Sequence, residues 1–379
     1  MLNKEQQYFL YIVKNVITGG KQTNIPSDFD WDSFFELTKK HSLTSLVAYG
    51  LKDMGIKDER IERFKQELIL SAIKDSMVDA EMNKIFEEFE KNNIDYLPLK
   101  GFVIKNIYPS PETRSMADVD LLIRPADAKK TDDIMKSFSY LVRFSNVEED
   151  AYTKEPFYSI ELHKKIIGDG YPKFTKYYKN GWSFAKRIDD TNRHELSCED
   201  FYIFHMVHLA KHYNSGGSGV RSIVDIFLFL KNKHIDRTYV ARELKKLGLL
   251  TFAKNMEKLA FYWFGEGETN EVIDEIEEYI FKSGTYGTID NYKELRKLKY
   301  KGIRKIRYYL TLIFPSIKDM SSIYPVLKRN SLLLPIMWIV RLFRGVLFKR
   351  KIFVKAIKNV PIANNGKSRL EEHMSKIGL

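Results

Sequence analysis

Asp118 and Asp120, two aspartates separated by one residue, are the side chains whose types and spacing most directly suggest chemistry. Residues two apart on a β-strand point to the same face, so a strand through this pair would present both carboxylates together. Paired carboxylates repel each other unless a hard cation lies between them, and Mg²⁺ prefers such oxygen ligands together with phosphate oxygens. The pair therefore indicates a site for phosphoryl transfer, although by itself the pattern is weak because most such pairs are solvated.

The elements predicted around this pair would bring phosphate-binding groups towards it. Residues 94–99 form a short apolar run typical of a buried strand, residues 102–108 have a helical pattern, and residues 117–123 are typical of a second strand. Lys100 and Gly101 fall at the strand-to-helix turn, where a glycine allows close backbone approach and a helix N-terminus offers N–H groups to a phosphate. Arg114 could offer a fork of donors to a triphosphate.

Residues 97–123 read LPLKGFVIKNIYPSPETRSMADVDLLI. This stretch resembles a bacterial group of nucleotidyltransferases in the DNA polymerase beta superfamily, and the resemblance extends over about residues 80–235. It implies that Asp118 and Asp120 hold Mg²⁺, with Mn²⁺ as an alternative, and that Lys100, Gly101 and Arg114 bind an NTP. The chain departs from the wider superfamily in two ways: Lys-Gly replaces the usual Gly-Ser or Gly-Gly turn, and the stretch before Asp118 is longer. Abortive-infection-type nucleotidyltransferase toxins share a similarly long opening.

A third carboxylate is usual on a later strand of this superfamily, and Glu161 is the candidate. Residues 157–163 alternate like a strand, which would place Glu161 and His163 on one face. Glu161 is predicted to be a metal ligand or the general base for an acceptor hydroxyl, and His163 to contact the substrate. Asp169 is a weaker substitute for Glu161. The alternative is an exposed strand face that carries an ordinary acid and base.

A histidine-rich helix is predicted after Ser197 and Asp200, which resemble a capping pair. His205, His208 and His212 are spaced by three and four residues and would share one face of this helix. That geometry is compatible with a metal, but hydrogen bonding in the core or between helices is favoured because no fourth ligand is evident. In the next predicted helix, over residues 220–232, Arg221 and Asp225 are four residues apart and are expected to form an intrahelical ion pair that braces the substrate cleft.

The pattern as a whole predicts an α+β protein with a small mixed-sheet nucleotidyltransferase core. We predict an N-terminal helical region at residues 1–90, the core at 91–195, a helical domain at 196–310 and a basic amphipathic segment at 311–379. Asn92 and Asn93 are a helix-stop signal before the core, and Ser27 and Asp30 are candidate helix starts near Pro26. The length of 379 residues and the 44% apolar composition are sufficient for a proper core.

Charge and cysteine content limit the classes of function. Cys198 is the single cysteine, which excludes an internal disulfide framework and a cysteine-based zinc site. The net charge is +12, but residues 293–358 alone contain 18 lysines and arginines against Glu294 and Asp319, a local charge of +16. The basic character therefore belongs to the C-terminal segment, where it would attract the phosphates of nucleic acid or of anionic lipids.

Residues 331–348 of this segment are apolar enough to raise the question of a membrane span. Arg341 and Arg344 argue against one, because an arginine near the middle of a bilayer costs about 2.5 to 3.5 kcal/mol. A helix that lies on an anionic membrane, with Trp338, Phe343 and Phe348 inserted and residues 349–351 at the headgroups, is weighed equally with a helix packed on the body. Nucleic-acid binding is a third alternative.

The leading functional prediction is transfer of an NMP from an NTP to an acceptor hydroxyl, with release of pyrophosphate. The acceptor, whether a small molecule, a protein or RNA, is not identified by the sequence. One alternative is a toxin-like transferase acting on tRNA, and another is a non-catalytic scaffold with the same fold at a membrane-associated complex. The N-terminus carries no signal-peptide pattern, so the expected location is the cytoplasm, with peripheral attachment to the inner face of the membrane as an option.

Overall fold

Helices surround a mixed five-stranded sheet in the larger of two structural units. The computed structural model describes residues 2–20, 25–26, 29–52, 54, 56, 59–156, 158–298, 314–317, 320–321, 324–328, 330–348 and 369–379. The larger unit comprises Met1–Thr288 and Ser375–Leu379, and the smaller one comprises Ile289–Met374. The α+β class with flanking helices is confirmed, whereas the four-part division predicted from the sequence stays a prediction.

Four helices precede the sheet: α1 (Lys4–Thr18), α2 (Trp31–Lys40), α3 (Thr44–Leu51) and α4 (Glu62–Lys91). Asp30 begins α2 as predicted, because its Oδ1 accepts hydrogen bonds from the backbone N–H groups of Asp32 and Ser33, both at 3.0 Å. The other predicted start, Ser27, lies outside the described residues. The stop signal is also confirmed, since α4 ends at Lys91 with Asn92 as its cap and Asn93 in the left-handed region at φ 51°.

The five-stranded sheet has the order β1-β2-β5-β4-β3. Its strands are β1 (Tyr96–Pro98), β2 (Val119–Ile123), β3 (Leu141–Ser145), β4 (Glu149–Lys154) and β5 (Tyr158–His163). Strands β2 and β5 are parallel, and the other neighbours are antiparallel. The sheet is therefore mixed, with β2 and β5 next to each other near its centre.

The two faces of this sheet differ in chemistry. On one face, alternate residues of β2 (Val119, Leu121 and Ile123) pack with Ile160 and Leu162 of β5 into a buried apolar cluster. Residues of α4 and of α6 (Ala128–Ser137) complete that cluster, including Met82, Ile85, Phe86, Phe89 and Met135. The other face carries the polar residues of the same strands, because side chains alternate along a strand. This alternation leaves the carboxylates of β2 and β5 together, opposite the core.

Several elements differ from the sequence prediction. The first strand is shorter than residues 94–99, and α5 (Lys100–Ile104) gives way to a 3₁₀ turn at Lys105–Ile107. Strand β2 begins at Val119, not at residue 117, because its pairing with β5 starts there. Strands β3 and β4 and a two-stranded sheet of β6 (Ala185–Arg187) and β7 (His194–Leu196) were not predicted.

The second half of the larger unit is helical. Its helices are α7 (Pro172–Tyr178), α8 (Cys198–Tyr213), α9 (Val220–Asn232), α10 (Arg237–Leu247), α11 (Leu250–Phe264) and α12 (Glu271–Ser283). The predicted cap is confirmed, since the side chain of Ser197 accepts a hydrogen bond from Asp200 N at 3.1 Å. Helix α9 has the predicted bounds.

The smaller unit contains the helices Ile289–Leu298 and Leu334–Phe348. In it, Trp338 Nε1 donates a hydrogen bond to the Pro315 carbonyl at 2.9 Å. None of the helices described combines the length and the apolar character needed to cross a membrane. The side chains of Phe343, Arg344 and Phe348, and the whole of residues 349–351, lie outside the described part, so the membrane-surface prediction for them stays a prediction.

Candidate active site

Asp120 and Glu161 lie side by side on the polar face of the sheet. Both are directly paired in register across the parallel strands β2 and β5. The Asp120 side chain is 4% exposed and that of Glu161 is 20% exposed. The strand pairing therefore brings a second carboxylate beside Asp120 at the open side of the sheet.

Lys100 supplies a positive charge at this point. Its Nζ donates a hydrogen bond to Asp120 Oδ1 at 2.6 Å. Lys100 begins α5 with a φ of 49°, a left-handed conformation that costs a non-glycine residue about 1 to 3 kcal/mol. Such strain is typical of functional sites, where the surrounding structure imposes it. The turn thus aims the lysine at the carboxylate rather than at solvent.

The next residue, Gly101, lies where the surrounding side chains leave no room for a Cβ atom. A Cβ at this position would collide with the Arg114 guanidinium and would approach Met116 Sδ to 3.0 Å. A glycine is therefore required here, as predicted, but the neighbour that comes close to it is the Arg114 side chain.

His163 joins three carboxylates. Its Nε2 is 2.7 Å from Asp120 Oδ1 and 3.6 Å from Glu161 Oε2, while its Nδ1 is 3.1 Å from Glu149 Oε2. Burial lowers the pKa of His163, but the hydrogen bonds to Asp120 and Glu149 outweigh that effect and raise the pKa above its ordinary value. The raised pKa shifts the imidazole towards its protonated form, in which both ring nitrogens are donors.

The charges of the site are mutually dependent. Burial alone would raise the pKa of the Asp120 carboxyl, yet Lys100 and His163 hold that pKa well below its usual range. Burial raises the pKa of Glu161, and the negative charge of Asp120 raises it further. One carboxylate is thus firmly ionised, and its neighbour is the better proton acceptor of the two.

Asp118 lies immediately before β2 and not on it, which corrects the prediction that both aspartates belong to one strand. Its pKa is raised, first by burial and then by Asp120. Among the described residues, a group able to hold a metal ion consists of Asp120, Glu161 and His163, whose ligand atoms lie within 4.8 Å of one another. Asp118 is close enough to act on the pKa of Lys100 and Glu161 but is outside that group.

Arg114 does not face the carboxylate cluster. Its Nε donates to Asp225 Oδ1 at 2.9 Å and its Nη2 donates to Asp225 Oδ2 at 2.7 Å, and Arg114 is only 8% exposed. Tyr108 donates a further hydrogen bond from its hydroxyl to Asp225 Oδ1 at 2.7 Å. The Arg114 guanidinium, predicted to bind a triphosphate, is therefore bonded to the Asp225 carboxylate of α9. Asp225 was expected to pair with Arg221 within α9, and it pairs with the distant Arg114 instead.

Two cations that the sequence analysis did not assign to the phosphates lie near the cluster. Lys211, on α8, senses the charges of Lys100, Asp120, Glu149 and Glu161, although burial is the main reason why its pKa is lowered. In the described part of the chain, its ammonium has no ion-pair partner. The only signal in the sequence was its position, three residues after His208 on a helix already under consideration.

The second of these cations is Arg221, on α9. Its Nη1 donates to the Ser115 carbonyl at 2.8 Å, while its buried Nε has no hydrogen-bond partner. Its charge lowers the pKa of Asp118. Arg221 thus has an unused buried donor close to the first aspartate.

The histidines of α8 form a contact within the helix. His212 Nε2 lies 3.0 Å from His208 Nε2, so one ring donates and the other accepts. Burial lowers the pKa of His212 to about 4 and that of His208 well below its ordinary value, which keeps both rings neutral. Asp169, the weaker carboxylate candidate, is 53% exposed and pairs with Lys165 at 2.7 Å.

Comparison with known proteins assigns the chain to a family. A family model described as uncharacterised nucleotidyltransferase matches residues 27–265, which include the sheet, the carboxylate cluster and α8 to α11. The comparisons with curated proteins and with solved structures gave no match. Because the family model covers more than half of the sequence, the chain belongs to the uncharacterised nucleotidyltransferase family.

Proposed function

We propose that the protein is a metal-dependent nucleotidyltransferase of the DNA polymerase beta superfamily, which transfers an NMP from an NTP to an acceptor hydroxyl. The acceptor oxygen forms a bond to the α-phosphorus as the bond from that phosphorus to the bridging oxygen breaks. The electron pair of the broken bond leaves with pyrophosphate. The hydroxyl proton passes to the Glu161 carboxylate, whose raised pKa suits it to act as the base.

The observation that carries this proposal is the pairing of Asp120 with Glu161 across β2 and β5, beside Lys100. A structural ion pair would need one acid and one base. Here Asp118, Asp120 and Glu161 act on one another's charges, and Glu149 contacts His163 beside them, which brings more carboxylates together than a single structural ion pair requires. A cluster of this kind favours a ligand that brings positive charge.

The donor set fits a divalent cation. Asp120 and Glu161, with Asp118 from the loop before β2, would hold Mg²⁺ through carboxylate oxygens, and a neutral His163 ring would add a nitrogen ligand, which makes Mn²⁺ a second option. When bound, the ions polarise the phosphate oxygens and favour loss of the hydroxyl proton. Lys100 and His163 contact Asp120 in the structure, and a bound cation would take over part of their role beside this carboxylate.

The phosphates of the NTP would be bound by the cations that the protein leaves available. Lys211 and Arg221 have unused donors near the cluster. Lys100 would move its ammonium from Asp120 towards the phosphates once the metal compensates the carboxylate. Arg114 has instead a positioning role, because it fixes α9 and therefore Arg221 against the loop before β2.

The fate of the NTP phosphates tests the proposal. The full-length protein would be incubated with each NTP labelled at the α or γ phosphate, with Mg²⁺ or Mn²⁺, and with heat-treated cell extract, whose own phosphatases and kinases are inactive, as a source of acceptors. We expect the α label in an acceptor adduct and the γ label in pyrophosphate. A γ label found in orthophosphate or on the acceptor would indicate a phosphatase or a kinase and would contradict the proposal.

A further inference from the structure

A cavity of about 350 Å³ adjoins the carboxylate site from the side of α4. Its wall includes α4, the loop before β2 and the first residues of β2 and β5. Its volume lies in the range of small-molecule sites. The cavity is not the place assigned above to the NTP phosphates, since Lys211 and Arg221 are absent from its lining.

Asp118 connects this cavity with the active site. It lines the cavity, and its charge also acts on Asp120, Lys100 and Glu161 on the polar face of the sheet. Ser159, two residues before Glu161 on β5, lines the cavity as well. A molecule in the cavity would therefore present its nearest group to Asp118 and Ser159, beside the carboxylates.

The charges of the lining disfavour a phosphate. Glu67, Glu112 and Asp118 of the lining are acidic, and Lys74 is basic. The remaining charged lining residues are paired with partners, Asp75 with Lys105 at 2.8 Å and Arg114 with Asp225 at 2.7 Å. The Lys74 ammonium already donates to the Met116 carbonyl at 2.8 Å. A polyanion such as an RNA end would be repelled from these walls.

The rest of the wall is apolar, and part of it is exposed to solvent. Leu70 and Ile73, three residues apart on α4, both line the cavity and are 59% and 48% exposed. Val78, Met82 and Ile160 continue this surface inwards. Exposed apolar side chains next to a catalytic cleft favour a ligand that covers them, because burying apolar area contributes about 25 cal/mol per Å².

We propose that this cavity is the acceptor site and that it binds an uncharged or cationic hydroxyl compound with an apolar portion. The apolar portion covers Leu70 and Ile73, and the hydroxyl extends past Asp118 and Ser159 towards Glu161, the base of the proposed reaction. This inference rests on the proposed function, because it takes over the same reaction, in which the acceptor oxygen bonds to the α-phosphorus and pyrophosphate leaves. It adds the chemical class of the acceptor and excludes nucleic acid from this cavity.

Two neighbouring residues of α4 provide a matched pair of variants. Leu70 lines the cavity and Ile69 does not, while their exposed fractions are 59% and 58%. Monomeric octyl glucoside, an uncharged compound with an alkyl chain and hydroxyl groups, serves as the probe. Its binding to the full-length wild type, Leu70→Lys and Ile69→Lys would be measured by calorimetry below the micelle concentration, together with NTP binding in the presence of Mg²⁺.

We expect one saturable site in the wild type, an affinity at least tenfold lower in Leu70→Lys, and a change below twofold in Ile69→Lys. No saturable binding, or an equal loss in both variants, would overturn the assignment. Displacement of the probe by a single-stranded RNA oligonucleotide that also takes the NMP label would overturn it in favour of an RNA acceptor. If the wild type binds no NTP, the proposed function is refuted separately, since binding of the probe does not depend on NTP binding.

Discussion

Arg114 and Asp225 are joined by two parallel hydrogen bonds, at 2.9 and 2.7 Å, although 111 residues separate them in the sequence. The pair is buried, and Asp225 also accepts a hydrogen bond from the Tyr108 hydroxyl. Burial lowers the pKa of Arg114, but Asp225 more than compensates and raises it above the usual value. The pair therefore fastens the loop before Asp118 to α9, which carries Arg221.

Replacing Arg114 should destabilise the fold. In Arg114→Met the buried Asp225 keeps only the Tyr108 hydroxyl as a strong partner, and breaking a buried pair typically costs about 3 to 5 kcal/mol. We expect the double variant Arg114→Met/Asp225→Leu to recover part of that loss, because the Asp225 carboxylate is no longer left without its main counter-ion. Urea unfolding of the single and double variants measures both effects. A normal free energy of unfolding with greatly weakened NTP binding would instead assign Arg114 to the phosphates.

Lys100 is expected to link stability to the metal. In Lys100→Met the buried Asp120 carboxylate keeps His163 but loses its closest cation, so we expect a loss of about 3 kcal/mol, at the lower end of the range for broken buried pairs. Mg²⁺ should then raise the melting temperature of the variant more than that of the wild type, because it supplies the missing charge. An equal shift in both proteins would show that no ion binds beside Asp120.

Lys211 should contribute to NTP affinity and not to stability. Its ammonium is mostly buried without an ion-pair partner, so Lys211→Met removes a phosphate donor and relieves an unfavourable burial. A hydrogen bond to a charged group contributes about 1.5 to 3 kcal/mol, which corresponds to a Kd about 10 to 100 times higher. The exposed Lys254 of α11 provides the control, and Lys254→Met should leave the Kd unchanged. Identical NTP affinities in all three proteins would remove Lys211 from the site.

His41 should make the fold sensitive to acid. The ring is fully buried and its Nδ1 accepts a hydrogen bond from Val220 N at 3.2 Å, and burial, with a smaller effect of Lys40, lowers its pKa to about 3. Between pH 6.5 and about 3 the unfolded chain binds a proton that the folded protein does not, so this residue reduces stability as the pH falls. The slope is about 1.4 kcal/mol per pH unit.

His41→Asn provides the comparison, because its amide oxygen can accept the same hydrogen bond without titrating. We expect the variant to lose stability at pH 8 through weaker packing against Phe9, and to lose less than the wild type between pH 6.5 and 5. His208 and His212 titrate in both proteins and therefore cancel in the difference. Parallel stability profiles for the two proteins would show that His41 is protonated in the fold.

Local patterns in the sequence predicted much of the site. The alternation of residues 157–163 identified Glu161 and His163 as neighbours on one face, and the structure pairs Glu161 with Asp120 across the strands. Caps and turns were equally local, as at Asp30 and Ser197, because each depends on hydrogen bonds within about three residues. The Lys-Gly turn was read from the same local signals, although the contact of Lys100 with Asp120 itself joins residues 20 apart.

What depends on long-range contacts could not be predicted. The pairing of Arg114 with Asp225 joins distant segments, and nothing near either residue distinguishes this partner from Arg221. Strand β3 shows no alternation, since Leu141 and Val142 are both exposed at the edge of the sheet. The availability of Lys211 also follows from its surroundings, because a lysine on a helix surface is ordinarily solvated.

The rate of pyrophosphate release by Glu161→Gln, with Mg²⁺ and the preferred NTP, tests the central claim most directly. Removing a general base typically lowers kcat by a factor of about 10² to 10⁴. We expect a fall in this range at an unchanged melting temperature, whereas Asp169→Asn, which alters the exposed carboxylate paired with Lys165, should keep the wild-type rate. Wild-type turnover in Glu161→Gln, or equal losses in both variants, would contradict the assignment of catalysis to the carboxylates of β2 and β5.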